Sequence, residues 1–181
     1  VELSLSAVSS LSNAFYTVIT ANETILLDDC GRIARKMWRA VDNNLVLGCS
    51  QIIDLLQKDR NMPKGPAILD SIIQNRIVYL VSGGLYDELK NEMVNLFNQW
   101  ELKKCPQIRV EQYIRQIIEI ITRVVSSKKT VNAELDILLD EALSFSTTFG
   151  ELLENIWQII RDITSHNADK GKVDTMEFLK Q

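Results

Sequence analysis

The chain has 181 residues and a mass of 20.6 kDa, the size of one ordinary domain. Its residues are 46% hydrophobic and 24% charged, near the globular average, which excludes a disordered or fibrous chain. Twenty Lys+Arg against 24 Asp+Glu leave a net charge of −4, which argues against a free-standing nucleic-acid surface, since that needs a basic face to neutralise phosphates.

Seven glycines and three prolines supply few turns for an all-β domain. Three cysteines (Cys30, Cys49, Cys105) lie far apart with no CxxC spacing, and His166 is the sole histidine. This is no zinc-ligand set, and it fits free thiols in a reducing, cytoplasmic compartment. No apolar run approaches the ~18 residues of a membrane span, so no membrane partner is expected. Because the chain opens on Val1 and not on Met, a fragment or processed chain is expected.

Helical periodicity dominates. Across residues 4–20, Leu5, Val8, Leu11, Phe15 and Val18 recur every three or four positions, although the segment FYTVIT is aromatic and β-branched enough to be a strand. Asn22 is a plausible N-cap for a second helix, in which Leu26, Cys30, Ile33, Met37 and Val41 share one side. Arg32, Arg35, Lys36 and Arg39 cluster on the other. Residues 44–59 offer Leu45, Cys49, Ile52, Ile53 and Leu56 at helical spacing. A helix is favoured there over the alternative, a short buried strand in LVLGCS ended by Gly48.

Residues 60–65 (RNMPKG) read as a loop. Pro66 suits a first helical turn, and Ile68, Ile72, Ile73, Ile77 and Leu80 follow as one face, stopped by Gly83-Gly84. The next helix carries Leu89, Met93, Leu96, Phe97 and Trp100, and Pro106 interrupts the chain after it. The strongest pattern covers residues 108–125, with Val110, Ile114, Ile117, Ile118, Ile121 and Val125 on one side. Opposite them, Glu111, Arg115, Glu119 and Arg123 alternate in sign. After the polar linker SSKKT, Leu135, Leu138, Leu139 and Leu143 mark a short helix. Thr148 and Glu151 form a capping box ahead of Leu152, Leu153, Ile156, Ile160 and Ile163. Residues 165–172 turn polar, and residues 173–181 look like the start of another helix. The expected fold is mainly α, a bundle of seven to eight helices with two possible short strands near residues 16–20 and 45–49. Three parts are expected: residues 1–60, a bundle over 66–165, and a following helix from 173.

No catalytic constellation emerges. Acyl transfer needs a nucleophile with a base in reach, and His166 sits in the polar stretch TSHNADKGK. There is no GxGxxG and no Walker sequence. Asp136, Asp140 and Glu141 share a helix side as a solvated face. No cofactor, metal or enzymatic activity is expected. The basic cluster Arg32, Arg35, Lys36 and Arg39 is the candidate charged-ligand surface.

From about residue 85 onward, the order DELKNEMVNLFNQW, VEQYIRQIIEIITRVV, AELDILLDEALSFSTTFGELLENIWQIIRDI and VDTMEFLKQ resembles the region before the DNA-binding domain of AraC-type, YesN-like response regulators. In that family a helix of the ELxxxxxxLF kind precedes a longer apolar helix. A leucine-rich helix follows, then a Ser/Thr-x-x-Glu-Leu start into a final helix carrying a tryptophan. Thr148, Glu151, Leu152 and Trp157 match those last features. LVLGCS is similar to a strand of the degenerate cyclase-like domain found earlier in many members, but residues 1–50 are too few for that whole domain, and no phosphoacceptor strand is present.

The resemblance implies a non-catalytic regulatory or dimerisation module of a two-component transcription regulator. Such a module would be cytoplasmic and a homodimer, and would touch DNA only through a C-terminal domain beginning near residue 173. An unrelated helical adaptor or small-ligand sensor is the alternative. Trp100, Phe149 and Trp157, at or near helix ends, are the residues expected at the dimer interface.

Overall fold

The computed structural model describes residues 17–20, 28, 30–54, 68–125 and 133–178. Six helices stand among them. In chain order the elements are β1 (Thr17–Thr20), α1 (Cys30–Asn44), β2 (Gln51–Asp54), α2 (Ser71–Ser82), α3 (Tyr86–Leu102), α4 (Gln107–Val125), α5 (Ala133–Phe145) and α6 (Phe149–Phe178). The chain is mainly helical. The expected N-cap Asn22, the loop 60–65 and the start at Pro66 fall outside the described residues.

The β-branched segments TVIT and QIID pair in parallel, Thr17 opposite Gln51 and Thr20 opposite Asp54. Parallel neighbours need a crossover of a dozen or more residues, and α1 supplies it, packing on both strands and on α4. This corrects the helix expected over residues 44–59 as far as residue 54, residues 55–59 lying outside the described residues. Helix α1 ends at Asn44, residues 45–50 form an irregular turn rather than a helix or strand, and the ladder begins only at Gln51. The cause lies far away in sequence. The Leu45 carbonyl accepts from the Gln107 amide at 2.7 Å, and the Gly48 amide donates to the Thr147 carbonyl at 2.8 Å. Gly48 has φ +67°, a left-handed conformation that side chains resist. The turn also buries Val46 and Leu47 in the cluster that holds Leu69 and the inner faces of α2 to α6, so both sides of residue 60 share one core.

Helix α2 starts where Asp70 accepts the Ile72 amide at 2.8 Å, a side-chain N-cap. The Leu69 amide just before it donates to the Gln116 side chain at 2.9 Å, which ties α2 to α4. The Gly83-Gly84 stop takes Schellman form. The Leu85 amide reaches the Leu80 carbonyl and the Gly84 amide that of Val81, with Gly84 at φ +66°. The end of α3 repeats the same pair of bonds, Cys105 to Trp100 and Lys104 to Glu101. There the left-handed position is filled by Lys104, at φ 48°.

Helix α4 is the centre of the bundle, in contact with α1, α2 and α6. Val110, Ile114, Ile117 and Ile121 are fully buried, each Ile worth about 1.5–3 kcal/mol relative to exposure. On its outer side Arg115 pairs with Glu111 at 3.0 Å and also with Asp140 of α5. That contact to Asp140 is the main cause holding the guanidinium above its ordinary pKa.

At the α5–α6 corner the Glu151 amide donates to the Thr148 hydroxyl at 3.2 Å. The reciprocal arm lands one residue earlier than a capping box places it, on the Thr147 amide and hydroxyl, both at 2.8 Å. Helix α6 then runs unbroken for 30 residues. The polar stretch 165–172 does not interrupt it, contrary to expectation, because it holds no proline, and Gly171 costs only about 1 kcal/mol in a helix. With residues 45–54 non-helical and residues 173–178 fused to α6, the separate helices among the described residues number six rather than seven or eight.

Candidate functional site

Trp100, Phe149 and Trp157 do not lie on the surface. Their exposures are 7%, 3% and 7%. Trp100 stacks on Tyr113 of α4 with ring centroids 5.5 Å apart and tilts against Phe97 at 4.9 Å. Trp157 lies beneath Lys90 of α3, whose ammonium is 5.9 Å from the ring centroid. Phe149 joins the same buried cluster. All three aromatics are thus covered within one chain, and Trp157 lies inside the 30-residue α6 rather than at its end, which corrects the expectation that these residues form the interface.

Arg32, Arg35, Lys36 and Arg39 are all exposed on α1, beside the half-buried strip of Ile33, Met37 and Ala40. At 100° per residue they span one face. Trp38, 69% exposed, sits at its edge. The structure therefore gathers these four cations on one outward side. Asp136, Asp140 and Glu141 are exposed on α5 together with Glu134, as a solvated face should be, with Asp140 committed to Arg115. No group of three or more potential metal ligands occurs among the described residues, and none of their helices is long and apolar enough to cross a membrane.

The three cysteines are unpaired with one another. Cys105 is half-buried, and burial pushes its thiol pKa up against the opposing pull of Arg109 and Lys103. Such a thiol is a poor nucleophile. Ser146, a buried polar residue, is satisfied structurally. It donates to the Ala142 carbonyl at 2.6 Å and accepts from Asn155 at 3.0 Å.

Sequence periodicity misplaces one apolar surface. Ile68 and Ile72, expected on the buried face of α2, are 72% and 76% exposed, and Tyr79 is 68% exposed. The buried side of α2 is Ile77, Leu80 and Val81, with Ile73 beside them. The signal is present in SIIQNRIVYLVS: a helix apolar on two sides needs two partners, and the bundle covers only one. On α5, Ile137 and Phe145 also stand exposed, and Leu138, expected inside, is 41% exposed.

Compared with known protein families, with curated proteins and with solved structures, the chain finds no match.

Proposed function

We propose that this chain is a non-catalytic, self-associating regulatory module of a bacterial AraC-type transcription regulator, working in the cytoplasm and reaching DNA only through a separate domain. The observation that carries the self-association is the α2 surface. An apolar stripe on a helix whose other side already fills the core marks a contact site. The helix order α3 to α6, with its Thr148 and Glu151 start and its buried Trp157, supports the family assignment by resemblance. Such a module acts by holding two copies in a geometry that sets the spacing of two DNA-reading units.

Two measurements test this role. The coding sequence that follows Gln181 in the gene is expected to specify two helix-turn-helix units. Fused to a DNA-binding domain that represses a reporter only as a dimer, the 181-residue chain is expected to restore repression. A gene with no helix-turn-helix pattern refutes the regulator assignment, and a fusion that stays inactive at wild-type expression refutes self-association. The exposed Ile137 and Phe145 favour a second reading, in which α5 docks a helix of another protein.

A further inference from the structure

We infer that the outer face of α2 is a two-fold seam between two copies of this chain, with Asn75 on the axis; this rests on the self-association proposed above. Ile72, Asn75 and Tyr79 follow at steps of three and four along α2, with Ile68 just ahead of the Asp70 cap. Three and four is the spacing of a helix–helix seam, and all four residues are exposed.

The pattern is self-complementary. When two α2 helices lie antiparallel about Asn75, Ile72 of one copy faces Tyr79 of the partner subunit. The two Asn75 amides meet, each with a carbonyl to accept and an NH₂ to donate. An isologous contact requires this, because each residue near the axis must suit its own twin. A buried polar residue at one seam position also fixes register, since sliding the helices leaves its amide unpaired.

Charge selects this face over the others. Like charges are brought opposite one another near a two-fold axis, and that opposes association. The outer side of α1 presents four cations, and that of α5 presents Glu134, Asp136 and Glu141 beside Asp140, which is paired with Arg115. The α2 seam carries no charge. Its neighbour Arg76 is drawn aside to α3, where its Nε donates to Glu92 at 2.9 Å, so the flank is neutralised within each copy. Two chains of net charge −4 therefore meet most easily here. The area is small. Two isoleucines and a tyrosine at these exposures offer roughly 400 Å² per copy, within the size of functional apolar patches. That is about half of a standard partner surface, so the contact is a weak, reversible one.

The experiment is sedimentation velocity of the 181-residue chain from about 1 to about 200 µM, a range that reaches weak dimers. It compares the wild type with Ile72→Glu and Asn75→Asp, each checked for an unchanged melting temperature. Both sites are exposed, so neither change disturbs the core. The wild type is expected to move from 20.6 kDa to twice that mass. Ile72→Glu is expected to weaken the dimer at least tenfold. Asn75→Asp differs from asparagine by little more than charge. Its dimer is expected to weaken as pH rises through the aspartate range and to recover in high salt, the response of like charges brought together at the seam. A dimer untouched by both substitutions overturns the α2 seam and leaves self-association standing. A wild type that stays at 20.6 kDa overturns both. A wild-type dimer that dissociates in high salt overturns the seam in favour of a contact between the basic α1 and acidic α5 faces.

Discussion

Replacing Gly48 by alanine tests whether the turn at residues 45–50 is held as described. The added Cβ meets Thr148 at 3.9 Å and 4.0 Å, ordinary contact distances, so no clash enters the balance. What remains is the backbone. At φ +67° an alanine costs about 1–2 kcal/mol, and its stiffer unfolded chain returns roughly 0.4–1 kcal/mol. The net loss is about 1 kcal/mol, or about 2–4 °C in melting temperature for a chain of this size. Gly150 supplies the opposite sign. It lies in the first turn of α6, where an added Cβ would meet nothing within 4 Å, and Gly150→Ala is expected to gain roughly 0.5 kcal/mol from helix propensity. Urea titrations followed by far-ultraviolet circular dichroism measure both changes. At a slope near 2 kcal/mol per M, the Gly48→Ala midpoint falls by about 0.5 M. A Gly48→Ala chain as stable as the wild type, with unchanged slope, refutes the left-handed turn and its bond to Thr147.

Three further outcomes are expected. The Glu151 carboxyl is held below its ordinary value of 4.5, chiefly by the Thr147 amide that donates to it. A lowered folded-state pKa contributes stability that is present above the ordinary value and lost as pH falls through the lowered one, so melting scans from pH 6 down to about pH 3 should show a smaller decline for Glu151→Gln than for the wild type. The buried Thr122 hydroxyl has no hydrogen-bond partner, and Thr122→Val should gain about 1 kcal/mol in the same urea titration by removing a desolvated polar group. Alkylation followed by mass spectrometry should count three thiols in denaturant. In the native chain it should modify the exposed Cys30 first and Cys105 last, because Cys105 combines burial with a raised pKa.

What could be read from the sequence is what local spacing determines. The buried face of α4 follows from Val110, Ile114, Ile117, Ile118 and Ile121, and the end of α2 from two adjacent glycines, since both depend on residues within a turn or two. Residues 45–50 are illegible for the converse reason. Their conformation is settled by bonds to Gln107 and Thr147, which no local window contains. The aromatic residues failed as interface markers because a position along a helix does not say whether a neighbouring helix covers it. Tyr113 and Lys90 do so for Trp100 and Trp157. On α2, the consecutive Ile72 and Ile73 satisfy two helical registers at once, and only the packing of α2 on α4 shows that Ile73 turns inward and Ile72 outward.

The three tryptophans occupy unlike surroundings, and this gives the chain built-in optical reporters. Trp38 stands in water on α1, while Trp100 and Trp157 lie in the bundle. Indole emission shifts to the red in water, and a dissolved quencher reaches only an exposed ring. Iodide should therefore silence the red component alone and leave a blue one from the interior. A ligand or partner that settles on the basic side of α1 would alter the red component without moving the blue one. Loosening of the bundle would do the reverse, so one unlabelled sample distinguishes surface engagement from changes inside.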